Sequence, residues 1–276
     1  PFQKTMSEFV SSLLAGAAAG MSVDIALYPI DTLKTRAQSV EGFWKAGGFT
    51  GVYRGLSAAV VGSAPGAALF FSVYDSVKRG GSGVFGDGAS LHMAAAAMGE
   101  AAACLARVPT ENVKQKMQAG LFGSMRETVS AIHSTQGARG FYAGYGTTLM
   151  REIPFSFIQF PLWEAMKAMR ARSAERPVTA IEGALFGSIA GGFSAAVTTP
   201  LDVAKTRQML DVAGETYVGM VPTLRKIYAE EGASALFAGV YPRVTWITIG
   251  GFVFFGAYET VKRKLSGDGG EGAAKF

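Results

Sequence analysis

Apolar residues run along this chain in six long stretches, each broken at intervals by polar or charged positions. The pattern predicts helices over about 7–37, 56–79, 89–118, 145–170, 179–209 and 240–264. Each is longer than the roughly 20 residues needed to cross a bilayer. None is purely apolar: Asp24 and Pro29 interrupt the first, Glu100 the third, and Arg151 and Glu152 the fourth. A charge at membrane depth is costly and normally faces a polar interior. The expectation is an all-α membrane protein whose six transmembrane helices surround a water-filled path.

The same helices carry a threefold repeat. Pro29-Ile30-Asp31-Thr32-Leu33-Lys34-Thr35-Arg36, Pro109-Thr110-Glu111-Asn112-Val113-Lys114-Gln115-Lys116 and Pro200-Leu201-Asp202-Val203-Ala204-Lys205-Thr206-Arg207 share one pattern of proline, acid, base and base. Their prolines are 80 and then 91 residues apart, which divides the chain into units 1–85, 86–175 and 176–276. Units of this size cannot bury their apolar faces alone, so the three form one domain. Gly16-xxx-Gly20 and Gly187-xxx-Gly191 both begin 13 residues before a repeat proline and suit close helix packing. A second element aligns without gaps: Gly48-xxxx-Tyr53-Arg54-Gly55, Gly137-xxxx-Tyr142-Ala143-Gly144 and Gly232-xxxx-Phe237-Ala238-Gly239. The linkers before these elements read as short amphipathic surface helices, such as Met220 to Glu230. From proline to closing glycine the first repeat has 26 residues, against 35 and 39 in the others. A third element follows each closing glycine by 19 residues: Tyr74-Asp75-xx-Lys78, Trp163-Glu164-xx-Lys167 and Tyr258-Glu259-xx-Lys262.

Acid and base three residues apart share a helical face. Around a pseudo-threefold axis, Asp31 meets Lys114, Glu111 meets Lys205, and Asp202 meets Lys34. The aromatic motifs allow a second ring at the opposite end, joining Asp75 with Lys167, Glu164 with Lys262, and Glu259 with Lys78. Rings that close alternately would gate the two ends of a path. A single such motif reads as charges flanking a membrane; six in phase favour gates. The prolines add kinks that bring helix ends toward the axis.

Composition narrows the class. The chain is 49% hydrophobic and 17% charged, below the roughly 25% charge of soluble chains. Mean hydropathy is +0.24, in keeping with membrane helices that bury small and polar residues. The net charge of +5 is spread over loops, with no clustered basic face for nucleic acid. Cys104 is the sole cysteine, so no internal disulfide forms and no thiol metal site is expected. Met6 to Asp24 lacks the pattern of a secretory leader. The spans hold no nucleophile–histidine pair, and the chain has no metal-spaced cluster and no phosphate-binding Walker loop. Neither an enzyme nor a cofactor is expected.

Together the three repeated elements resemble those of the mitochondrial carrier family, over nearly the whole chain. The resemblance implies six spans in three repeats, a monomer in the mitochondrial inner membrane, termini toward the intermembrane space, and alternating access. It also implies cardiolipin at Arg54, Gly55, Gly144 and Gly239, although Ala143 and Ala238 replace bases usual there. Within the family, longer strings resemble members that carry S-adenosylmethionine: Gly99-Glu100-Ala101 leading to Arg107-Val108-Pro109, Arg151 to Ser156 running into Gln159 to Glu164, and Thr198 to Arg207. This similarity implies import of S-adenosylmethionine in exchange for S-adenosylhomocysteine. The alternative is another amino-acid-like substrate.

Substrate contacts in that family lie about 11 and 12 residues before the repeated aromatic. Those positions are Gly62 and Ser63, Arg151 and Glu152, and Trp246 and Ile247. Arg151 suits a carboxylate, Glu152 an amino group, and Trp246 an adenine or a sulfonium. Asp24 stands where the other repeats have Cys104 and Ala195, and Glu100 where they have Gly20 and Gly191. Asp24, Glu152 and Arg151 sum to −1, matching a substrate of charge +1. Each position has a structural alternative: an Arg151–Glu152 ion pair, interhelical hydrogen bonds from Asp24 and Glu100, and packing by Trp246.

Overall fold

The computed structural model of the chain describes residues 25–81, 89–176 and 178–250. Asp24, Glu259 and Lys262 lie outside them, as do Gly16, Gly20 and the side chain of Ser63. The described residues are helical with no strand. In order they form α1 (25–38), α2 (Gly42–Lys45), α3 (Leu56–Gly80), α4 (Ala89–Gln118), α5 (Met125–Gln136), α6 (Tyr145–Ala174), α7 (Ala180–Val197), α8 (Thr199–Leu210), α9 (Met220–Glu231) and α10 (240–250). Short 3₁₀ turns at Gly137–Tyr142 and Ala233–Phe237 lead into α6 and α10.

Local chemistry explains the boundaries. Ser124 caps α5 by accepting from the Glu127 amide at 3.2 Å. Thr179 and Glu182 form a reciprocal capping box at the start of α7. The Glu182 carboxylate also binds Arg170 at 2.7 Å and Arg176 at 2.9 Å, tying the end of α6 to α7.

The expected fifth helix, 179–209, is a correction. It breaks at Thr198 into α7 and α8, bent by 65°. Pro200 cannot donate a backbone hydrogen bond to the preceding turn and sits in the first turn of α8, where that loss is harmless. Pro29 and Pro109 stand inside continuous α1 and α4. Among the described residues no single helix is long and apolar enough to cross a membrane, but the bent α7–α8 pair is, by length and composition. The spans carry charges that lower their mean hydropathy.

Linkers differ between repeats. The second and third contain twelve-residue helices, α5 and α9, with buried Thr128 and Ile132, or Met220, Thr223 and Ile227, on one face. The short first linker has only the four-residue α2.

Apolar packing gathers in small clusters rather than one core. Ala58, Val113, Met117 and Ile132 join α3, α4 and α5. Cys104, Val108 and Met209 join α4 to α8, and Val203, Tyr217 and Ile227 join α8 to α9.

The closing glycines set how the repeats meet. Gly55, Gly144 and Gly239 have φ of 87°, 77° and 73°, a region costly for other residues. Each precedes α3, α6 or α10 and faces the next repeat at the carbonyl of its first motif lysine. A Cβ on Gly55 would lie 2.9 Å from Lys114 O, and one on Gly239 3.1 Å from Lys34 O. On Gly144 it would meet Met209 Cγ first, at 3.4 Å. Gly55→Ala should therefore destabilise by the left-handed backbone cost of about 1–2 kcal/mol plus an overlap of similar size. Gly144→Ala should show the backbone part alone. Thermal unfolding of the two variants checks the order.

Candidate substrate cavity and charge ring

The three proline motifs converge at one end of the bundle. Lys114 Nζ is 2.7 Å from Asp31 Oδ2, Lys205 Nζ is 2.6 Å from Glu111 Oε1, and Lys34 Nζ is 2.7 Å from Asp202 Oδ2. Each pair crosses from one repeat to the preceding one. Two glutamines brace it from beyond: Gln118 Nε2 donates to Asp31 Oδ2 at 3.0 Å, and Gln38 Nε2 to Asp202 Oδ2 at 3.0 Å. Both stand nine residues after a repeat proline, where the third repeat has Met209.

The second base of each motif reaches the other way. Arg36 Nε donates to Gln118 O at 2.8 Å, Lys116 Nζ to Met209 O, and Arg207 Nε to Gln38 O at 2.6 Å. These bases are almost fully buried, and their remaining donors need partners. Arg207 takes Glu231 through two bonds of 2.7 Å. The first repeat has no such acid, and Arg36 instead donates to the carbonyls of Gly48 and Thr50, each at 2.7 Å. The two sets of contacts run in opposite directions around the ring and close it on both sides.

Above the ring lies a cavity of about 630 Å³. The six ring residues form part of its lining, with Arg107, Thr110, Thr148, Arg151, Arg243, Trp246 and the aromatic pair Phe70 and Phe71. Of the substrate positions expected from sequence, Arg151 and Trp246 line it. Glu152 is ion-paired with Arg151. Glu100 is bound to Arg107 at 2.8 Å and accepts from Cys104 Sγ at 3.7 Å. Asp24 is outside the described residues.

Asp202 differs from the other two ring acids. Its Oδ2 holds Lys34 and Gln38, while its Oδ1 is ion-paired with Arg243 and lies 3.8 Å from Arg151 Nε. Asp202 is 2% exposed, against 19% for Asp31 and 21% for Glu111. Three cations around one buried carboxylate need the ionised form to stay compensated.

At the opposite end no cross-repeat pair joins the described residues. Lys167 Nζ binds Glu164 of its own helix at 2.7 Å and sits 3.8 Å from the Trp163 ring centre. The expected Asp75–Lys167 pair is absent, and Asp75 and Lys78 are exposed. The other two expected pairs each involve a residue outside the described part. The cavity is thus closed by the proline-motif ring and lacks the described cross-repeat link at its other end.

Several residues escaped the sequence reading. Arg243 occupies the place of Ala59 and Thr148, four residues after the closing glycine. Arg107 occupies the place of Leu27 and Thr198, two residues before the proline. Both are visible as disagreements between repeats, the signal that singled out Asp24 and Glu100. Among the described residues the ring pairs cancel, Arg107 and Arg151 are matched by Glu100 and Glu152, and Arg243 adds one positive charge.

The described helices surround a cavity closed at one end by the charge ring, an arrangement suited to passing a solute. The chain belongs to the mitochondrial carrier family: the family profile described as "Mitochondrial carrier protein" matches residues 5–43, 40–83, 87–173 and 176–269. This places it in a mitochondrial membrane. The chain is similar to the mitochondrial S-adenosylmethionine carrier protein of Xenopus laevis, with 49% identity over 265 residues covering 94% of this chain and 98% of that one. The Danio rerio protein of the same name is 50% identical over 262 residues, covering 94% and 98%. That of Mus musculus is 49% identical over 264 residues, covering 93% and 95%.

Proposed function

We propose that this chain carries S-adenosylmethionine into the mitochondrial matrix across the inner membrane, in exchange for S-adenosylhomocysteine. The observation that carries the reading is identity near one half, over almost the full length, to relatives named for that substrate. Two lining residues support it: a guanidinium at Arg151 for the carboxylate and Trp246 for the adenine or sulfonium. In this reading Glu152, now paired with Arg151, takes the amino group, and Asp24 and Glu100 are further acids. The substrate is a cation with a flat ring, and a cation–π contact contributes about 0.5–2 kcal/mol.

In this reading the three repeats, 1–85, 86–175 and 176–276, act as one monomeric unit with six spans and termini toward the intermembrane space. The ring of Asp31, Lys34, Glu111, Lys114, Asp202 and Lys205 is the matrix gate. Asp75, Lys78, Glu164, Lys167, Glu259 and Lys262 form the cytoplasmic gate when the matrix gate opens. Substrate drives the change by binding the intermediate better than either end state. Cardiolipin phosphate binds at the starts of α3, α6 and α10, beside Gly55, Gly144 and Gly239, where the helix N-termini favour an anion, assisted at the first by Arg54.

The test is exchange by the purified protein in cardiolipin-containing liposomes. Labelled S-adenosylmethionine should exchange with internal S-adenosylmethionine or S-adenosylhomocysteine. Lysine, ornithine and adenine nucleotides should not replace them. Exchange of an amino acid in preference to S-adenosylmethionine would move the chain to a different substrate within the family.

A further inference from the structure

Arg243 is buried at the cavity floor, yet it belongs neither to the ring nor to the Arg151–Glu152 pair. Its guanidinium is committed on three sides. Nε donates to the carbonyl of Ala195 at 3.2 Å, Nη2 donates to the Thr198 hydroxyl at 3.1 Å, and Nη1 is ion-paired with Asp202 Oδ1. Ala195 precedes the bend between α7 and α8, Thr198 forms it, and Asp202 follows it. One side chain therefore braces both arms of a helix pair bent by 65°. The other two repeats, with Ala59 and Thr148 at this place, have no guanidinium to do the same.

Asp202 is divided between two neighbourhoods. Oδ2 belongs to the ring through Lys34 at 2.7 Å and Gln38 at 3.0 Å. Oδ1 faces the cavity arginines. Arg151 Nε lies 3.8 Å from it and is buried with no hydrogen-bond acceptor among the described residues. Arg151 is thus a donor short of one acceptor, beside a carboxylate oxygen already held by Arg243.

The geometry points to Arg243 as the positioning residue that couples substrate to the proposed matrix gate. A substrate carboxylate arriving at Arg151 competes with Asp202 Oδ1 for the two arginines. When it wins, the brace across the Thr198 bend is released, and Asp202 keeps only Lys34 and Gln38. The carboxylate is the one anionic group of the substrate and matches the forked donors of a guanidinium. It gains these contacts only as Asp202 lets go, which is the differential affinity a ligand needs to shift a conformational equilibrium. The inference rests on the proposed substrate.

The experiment compares S-adenosylmethionine with its decarboxylated analogue, which keeps the sulfonium, amine and adenine, in reconstituted protein. Wild type should carry the acid at least about tenfold faster at saturation, the lower end of what one hydrogen bond to a charged group contributes. In Arg243→Gln the two rates should converge to within about threefold, because the brace no longer waits for a carboxylate. Thr198→Val removes one anchor of the same guanidinium without changing any charge. It should shift the ratio in the same direction, and it serves if Arg243→Gln does not fold. Variants that slow both compounds equally, with the preference intact, would make Arg243 merely structural and overturn the coupling. A wild type that carries both compounds equally would overturn it too, while leaving the substrate reading in place. A wild type that exchanges neither would overturn the substrate reading, and the coupling with it, before any variant is examined.

Discussion

Asp202→Asn lowers the thermal stability of the purified protein far more than Asp31→Asn does. Both changes remove one negative charge from the same ring at equivalent positions, so the difference isolates their surroundings. Asp202 is 2% exposed and compensates Lys34 and Arg243, with Arg151 Nε at 3.8 Å. Its neutral replacement leaves these cations buried against one another. Removing one partner of a buried pair costs about 3–5 kcal/mol, most of it the penalty of the charge left behind. Among the described residues Asp31 is ion-paired with Lys114 only, and both keep about a fifth of their side-chain surface in contact with solvent. Water therefore takes over part of the compensation, and a loss nearer 1 kcal/mol is expected. Asparagine preserves shape and can still accept a hydrogen bond from Gln38, so packing does not confound the comparison. Thermal unfolding in detergent with added cardiolipin, without substrate, measures both. Equal shifts would show that the ring acids are equivalent and that the arginines around Asp202 are compensated elsewhere.

The contrast between Asp202 and Asp31 also shows what the sequence could reveal. The cross-repeat pairs were readable because each depends only on a repeated spacing: acid and base three residues apart on converging helices leave one way to pair around an axis. Helix spans were readable for the same reason, since periodicity records burial averaged over many turns. The break at Thr198 was not. Pro29, Pro109 and Pro200 look alike in sequence, and only the third interrupts its helix. The difference lies in tertiary partners, with Arg243 available to hold the Ala195 carbonyl and the Thr198 hydroxyl. The missing acid of two linkers was visible, but not its consequence: Arg36 and Lys116 use backbone carbonyls where Arg207 uses Glu231. Which charges meet within a helix was only partly legible, the Arg151–Glu152 ion pair being one of two readings of those residues. Arg151 and Glu152 leave the backbone about 100° apart, but long side chains close the gap. Lys167 finds Glu164 one turn away before any other repeat.

Reversing Lys114 to glutamate should stop exchange, and adding Asp31→Lys to the same chain should restore part of it. The wild-type atoms are 2.7 Å apart. Two unit charges at roughly 4 Å interact by about 4 kcal/mol at an effective dielectric near 20. The single reversal turns that attraction into repulsion, so the proposed matrix gate cannot close and the state open to the other side is lost. A fall in exchange of at least about tenfold corresponds to only about 1.4 kcal/mol of this change. The double variant restores opposite charges across the same gap. Recovery should be incomplete because two accessory contacts depend on the original order. Gln118 donates to Asp31 Oδ2 at 3.0 Å, and Lys114 Nζ lies 5.3 Å from the Tyr28 ring centre. The substrate preference of whatever activity remains should stay that of wild type, since a gate sets how often the cycle completes rather than what is carried. A double variant as inactive as the single would mean that the pair does not act through its charge. A changed preference would instead assign Asp31 and Lys114 to the substrate, since they line the same cavity as Arg151 and Trp246.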